Sequence, residues 1–176
     1  MKSLSEHLSQ YAAYHRDRRN IATHFIGIPT IVLSVIFLLW HPLWSVGSPV
    51  PVNPALLAVI GASLFYLRLD LRFGLLMLIL LLVGFFGVRH LVDGEPRSFA
   101  WIWGGVLFAV GWAVQFLGHI WEGRKPAFVD DLVGLLVGPL FVVSELVFFG
   151  GFRRELADFI EKQAGPTRSG RKLPSS

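Results

Sequence analysis

The chain of 176 residues has no cysteine and little charge, with 16% of its residues Asp, Glu, Lys or Arg. An average soluble domain carries about 25%. Without cysteine there is no disulfide scaffold, no zinc ribbon and no thiol nucleophile. G-x-S-x-G, Walker and GxGxxG motifs are absent, as are the paired H-x-x-H-H runs of membrane desaturases, so several common chemistries lack their residues. No nucleic-acid module and no internal repeat occur, and attraction to an anionic inner leaflet accounts for the net charge of +4. What the chain does have is apolar surface: 53% of its residues are hydrophobic. So short a chain cannot hide that many Leu, Val and Phe from water, which excludes disorder and makes a bilayer the natural solvent.

The apolar residues fall in blocks of membrane length, where about 20 cross as helix. Ile21 to Trp40 is the first block and Pro54 to Leu67 a short second, which the neutral stretch Val46 to Asn53 would lengthen. Phe73 to Val88 and Ala100 to Ile120 are the third and fourth. Leu132 to Gly150 is a fifth, with Gly138-Pro139 at its middle and Glu145 beyond. Loop charge sets the orientation, because cytoplasmic loops gather Lys and Arg. Lys2, Arg16, Arg18 and Arg19 place the N-terminal segment inside, as do Arg68 and Arg72 for their turn and Arg124 and Lys125 for theirs. A fifth full crossing would export Arg153, Arg154, Lys162, Arg168, Arg171 and Lys172. The expected fold is therefore an all-α polytopic membrane bundle of four crossings, with both termini cytoplasmic. The fifth segment is re-entrant or broken at Gly138-Pro139, where proline removes a helix bond.

Trp40, Trp44, Trp101 and Trp103 fall at the proposed outer interface and Trp121 at the inner, as aromatic belts do. The first twenty residues are too polar for a signal peptide and lack a cleavage site. Leu4, Leu8, Tyr11 and Tyr14-His15 follow helical spacing, which predicts an interfacial amphipathic helix. Residues 1–164 read as one embedded domain and 165–176 as a disordered basic tail of Gly, Pro, Ser and Arg.

This topology brings His15, His24 and His119 to the inner interface together with Asp70 and Glu122, and ionisable residues at membrane depth mark function. Gln115, His119 and Glu122 form one stripe of a helix. An H-x-x-E pair offers imidazole and carboxylate to one metal, or the glutamate orients the histidine. His15 and His24, nine residues apart, lie about 180° apart on a straight helix. They meet only if the chain breaks between them, and Asn20 is the favoured N-cap for such a break. Gly27-Ile28-Pro29 then gives close packing and a kink. His7, His41 and His90 read as hydrogen-bonded interface anchors, Arg16-Asp17-Arg18-Arg19 as a surface run on lipid phosphates, and Glu145 as a partner for an arginine. Imidazole and carboxylate without thiolate suit non-haem iron, manganese or zinc.

Three strings of residues carry a family resemblance. Tyr14-His15-x4-Asn20-x3-His24-x2-Gly27-x-Pro29 resembles the N-terminal signature of the small polytopic membrane proteins related to the fungal 2-hydroxy fatty acid dioxygenase of phytosphingosine α-oxidation. Gln115-Phe116-x-Gly118-His119-x2-Glu122-Gly123-Arg124-x-Pro126-Ala127 is similar to its second signature, and Gly138-Pro139-Leu140-Phe141 with Glu145 to a third. The resemblance runs from Leu4 to Leu156. It implies an Fe(II)- and O2-dependent α-oxidation in which a 2-hydroxy fatty acid loses its carboxyl carbon. By the same resemblance His15, His24 and His119 hold the iron, and Glu122, Asp70 and Asn20 occupy motif positions as catalytic residues that either ligate the metal or orient its ligands. Arg124, Arg16 and Gln115 are the candidate substrate contacts, with an arginine pairing the carboxylate. The competing readings are a non-enzymatic membrane protein that binds lipid or a partner, and a zinc-dependent membrane hydrolase with Glu122 as base.

Overall fold

A computed structural model describes residues 2–41, 52–127 and 133–169. Among these the chain is all-helical: α1 Leu4–Ala12, α2 Arg18–Leu38, α3 Pro54–Leu69, α4 Leu71–Val92, α5 Arg97–Glu122, α6 Gly134–Phe149 and α7 Arg154–Ala164. An isolated β-bridge joins Asp17 and Arg168. Helices α2, α4 and α5 are long and apolar enough to cross a membrane, α3 is a shorter apolar helix, and α6 and α7 form a pair bent by 120°. The five apolar blocks of the sequence thus become the helices of a membrane bundle. In α4 the point is sharp: Phe73, Met77, Leu81, Phe85 and Val88 are buried, yet the opposite face exposes Leu75, Ile79 and Val83. A helix apolar all round needs an apolar solvent.

Two compact units make up the chain. One comprises residues 29–111, hence the latter part of α2, helices α3 and α4, and the first part of α5. Here Asp70 ends α3 and starts α4: its backbone is extended, and its Oδ1 accepts from the N–H of Arg72 and of Phe73. The two helices then touch backbone to backbone, since a Cβ on Gly74 would lie 2.5 Å from the Leu67 Cα. Trp40 packs on Phe85 at 5.0 Å and His41 on Trp101 at 4.6 Å between centroids. Asn53 caps α3 by accepting from Leu56 N–H, so the stretch before it does not lengthen the helix as expected; residues 46–51, like Trp44, lie outside the described residues.

The other unit comprises 1–28 and 112–176. Ser3 and Glu6 close a reciprocal capping box at the start of α1, which satisfies two helix N–H groups. The stripe Leu4, Leu8 and Tyr11 is buried, and the helices packed on α1 are α6 and α7.

Three local expectations shift. The break between His15 and His24 falls at residues 13–17, not at Asn20, which lies inside α2. Asp17 does the capping instead, with Oδ1 accepting from Arg19 N–H at 2.9 Å. Arg16-Asp17-Arg18-Arg19 is not a surface run throughout, because Arg16 and Asp17 are buried while Arg18 and Arg19 are exposed. Finally, α6 continues through Pro139, which forfeits one helix bond near its start. The bend comes after Phe149, where Gly151 at φ 80° and Arg153 at φ 55° take left-handed backbone that no α-helix continues through.

Candidate metal centre

His15 ends the turn that leaves α1, with its N–H on the Ala12 carbonyl. His24 stands in α2 and His119 near the end of α5. Their ligand nitrogens all lie within 4.8 Å of one another, and all three residues are buried. Ring centroids are 4.4 Å apart for His15 and His24, 5.0 Å for His15 and His119, and 5.2 Å for His24 and His119.

The tautomers follow from the partners. His15 Nδ1 lies 2.7 Å from the Tyr11 carbonyl and His24 Nδ1 lies 2.8 Å from the Asn20 carbonyl. A carbonyl only accepts, so both Nδ1 atoms carry the proton and both Nε2 atoms keep a lone pair. His15 Nε2 and His119 Nδ1 are buried without a hydrogen-bond partner. Burial and the neighbouring His24 and His119 hold the His15 imidazole well below its ordinary pKa, hence neutral. Neutral imidazoles, each fixed through the other ring nitrogen, are what metal-binding histidines look like. Unpaired buried nitrogens otherwise cost free energy, which a divalent cation removes. The donor set therefore fits a metal ion.

An aromatic wall closes one side. Tyr11 stacks on His15 at 4.2 Å and 11°, and Phe141 lies 5.1 Å from Tyr11 and 5.7 Å from His15. Gly138 lets α6 approach, because a Cβ there would sit 3.0 Å from the Tyr11 hydroxyl. Tyr11 also lines a small open cleft with His7, Tyr14 and Val137.

Glu122 lies beside the histidines but outside their group of ligand atoms. Its Oε2 accepts from Arg16 N–H at 3.1 Å, Asp17 N–H at 2.7 Å and Asn20 Nδ2 at 3.2 Å, and its Oε1 from Arg168 at 2.8 Å. These bonds tie the residues after His15 to the end of α5, and the carboxylate also acts on the His119 ring through its charge. Asn20 joins the same network by its amide and anchors His24 by its carbonyl. Gly118 permits this crossing of α2 and α5, since a methyl there would run into Thr23 Oγ1 and Asn20 Oδ1.

The remaining predicted residues divide. Gln115 is buried one turn before His119, its Oε1 without a partner. Arg16 donates to the carbonyls of Ala12, His15 and Gly165. Exposed Arg124 donates to the Ala13 carbonyl at 2.8 Å. Asp70 belongs to the other unit, where it caps α4. Tyr11, Asp17 and Arg168 were not among the predicted residues. Tyr11 stands four residues before His15 and so had a helical spacing to betray it, whereas Arg168 had no local signal.

A family model described as "2-hydroxy-palmitic acid dioxygenase Mpo1-like" matches residues 1–149. The chain belongs to this Mpo1-like family. It is 35% identical over 163 residues to the Saccharomyces cerevisiae protein named 2-hydroxy-palmitic acid dioxygenase MPO1, covering 90% of this chain and 87% of that one. No solved structure matches the chain. His15, Asn20, His24, Gln115, His119 and Glu122 all lie inside the stretch matched by the Mpo1-like family model.

Proposed function

We propose that the chain is a membrane-bound 2-hydroxy fatty acid dioxygenase that removes the carboxyl carbon by α-oxidation, with Fe(II) held by His15, His24 and His119. One observation carries the reading: three buried imidazoles within ligand reach of each other, two of their nitrogens unpartnered. Membership of the Mpo1-like family supplies the substrate class. Bound Fe(II) would supply the O2 chemistry and a chelation point for the hydroxyl and carboxylate of a 2-hydroxy acid.

The chain's own residues do the rest. The carbonyls of Tyr11 and Asn20 fix which nitrogen of His15 and His24 faces the site. Tyr11 and Phe141 keep water from His15 and offer an apolar surface to the start of the acyl chain. Gln115 Oε1 is a buried acceptor one turn from His119, suited to the 2-hydroxyl. Arg124 is the cation for the carboxylate, as Arg16 already serves three backbone carbonyls. Exposed Arg18, Arg19 and Arg124 around the ends of α2 and α5 support a site at the cytoplasmic interface, where a polar head and a lipid tail separate. A zinc hydrolase would need Glu122 as its base, and both Glu122 oxygens already accept from the protein.

The test is anaerobic purification, iron analysis and O2 uptake with 2-hydroxypalmitate. Stoichiometric iron and substrate-dependent O2 consumption are expected, with both lost in His119→Ala. Unchanged iron and turnover in that variant would sink the proposal.

A further inference from the structure

We propose that Arg168 is a positioning residue for the metal centre, acting through Glu122 on the backbone that carries His15. The proposal rests on the metal reading above. Residues 165–168 follow α7, beyond the stretch 1–149 that the Mpo1-like family model matches, so nothing in the family pattern assigns them a role. They return to the α1–α2 turn. Arg168 N–H donates to the Arg16 carbonyl at 2.7 Å, Arg18 N–H donates to the Arg168 carbonyl at 3.0 Å, and Arg16 donates from its guanidinium to the Gly165 carbonyl at 2.8 Å. The Arg168 guanidinium reaches across to Glu122, donating to Oε1 at 2.8 Å and to the carbonyl at 3.2 Å.

The electrostatics make this contact matter. The Glu122 side chain is 1% exposed, and its direct side-chain ion-pair partner among the described residues is Arg168, itself 29% exposed. The other donors to that carboxylate are neutral: two backbone N–H groups and the Asn20 amide. A buried carboxylate is tolerated when paired and hydrogen-bonded. Removing the guanidinium leaves the carboxylate without its direct ion-pair partner, with only the longer-range field of Arg16 beside it, so that it would turn toward water and release the N–H groups of Arg16 and Asp17. Those N–H groups follow His15 directly, so the imidazole loses its register against His24 and His119.

Fe(II) affinity, measured on the full-length protein by competition with a chromophoric chelator, tests this. Arg168→Ala should weaken Fe(II) binding about 10- to 100-fold, the range for partners that orient metal ligands. Arg168→Lys should lie between parent and Arg168→Ala, and millimolar guanidinium added to Arg168→Ala should restore affinity. With Co(II) in place of iron, the visible spectrum of Arg168→Ala should change in shape as well as occupancy. Affinity within about twofold of parent overturns the proposal, and so does a loss matched by an equal fall in the melting temperature of the metal-free protein. Should Arg168→Ala not be recovered folded, Arg168→Lys decides alone: affinity equal to parent overturns the proposal. If the parent itself binds no Fe(II), the metal reading falls and takes this one with it.

Discussion

Burial, followed by the neighbouring His24 and His119, holds His15 neutral, and that couples stability to pH. The unfolded imidazole takes up its proton near pH 6.5, while the folded one does so only at much lower pH. Stability of the metal-free protein is therefore complete above about pH 6.5 and falls as the pH is lowered, by about 1.4 kcal/mol per pH unit for each such group. Asp17 is also held below its usual range, by its hydrogen bond from Arg19, but it acts only in stronger acid. Chemical denaturation between pH 7 and 5 should show the decline, and His15→Asn should flatten part of it; a flat parent profile would contradict the neutral, buried ring. Glu122→Gln makes a second residue-scale case. It keeps one oxygen but turns an acceptor into a donor facing other donors. A loss of about 1–3 kcal/mol is expected in thermal or denaturant melts. The three histidines were legible because block boundaries and loop charge put them at one depth. The role of Glu122 was not, since its four partners come from residues 16, 17, 20 and 168 and only the fold collects them.

Helices α2 and α5 cross at Gly118, where a single methyl has no room. Gly118→Ala is expected to cost about 1–3 kcal/mol, as overpacking does, and to lower iron retention, because it parts His24 from His119. Gly74→Ala should cost a similar amount by forcing α3 from α4, yet its unit does not contain His15, His24 or His119. Gly61, in the same hairpin, has open space around it: a Cβ added there would meet nothing within 4 Å. Its replacement by Ala should stabilise α3 by up to about 1 kcal/mol. Melting temperatures and iron content of the three variants check the set together, and a Gly61→Ala loss as large as that of Gly118→Ala would refute the assignment. At this scale, apolar runs found the helices within a few residues, but two stops were misplaced. Asn20 looked like a cap, yet its amide answers Glu122 and Asp17 caps instead. Pro139 looked like a break, yet one lost bond near the start of α6 is tolerated, whereas left-handed backbone at Gly151 and Arg153 is not.

Contacts within the unit that holds the histidines also count the membrane crossings. Arg16 N–H bonds to Glu122 Oε2, so the chain leaves and regains one level between residues 16 and 122 and must cross an even number of times. Three helices in that interval have crossing length. If all three cross, the even count predicts a fourth crossing by α3, whose 16 residues span about 24 Å as helix. A bilayer core of about 30 Å meets so short a helix by local thinning, at modest cost per ångström. Arg168 also bonds to Glu122, so the bent pair α6–α7 returns to the side it left. Loop charge supplies the expected sign, which puts that side in the cytoplasm as a prediction for cysteine labelling. A chain without cysteine suits the test, because each introduced thiol reports alone. Lys2→Cys, Leu71→Cys and Gln163→Cys should react with a membrane-impermeant maleimide from the cytoplasmic face, and Glu95→Cys from the opposite one. Leu71 decides the matter: labelling from the outer face would mean that α3 does not cross. An odd number of crossings would then separate Arg16 from Glu122, and the contact that holds the His15 turn to α5 could not form in the membrane.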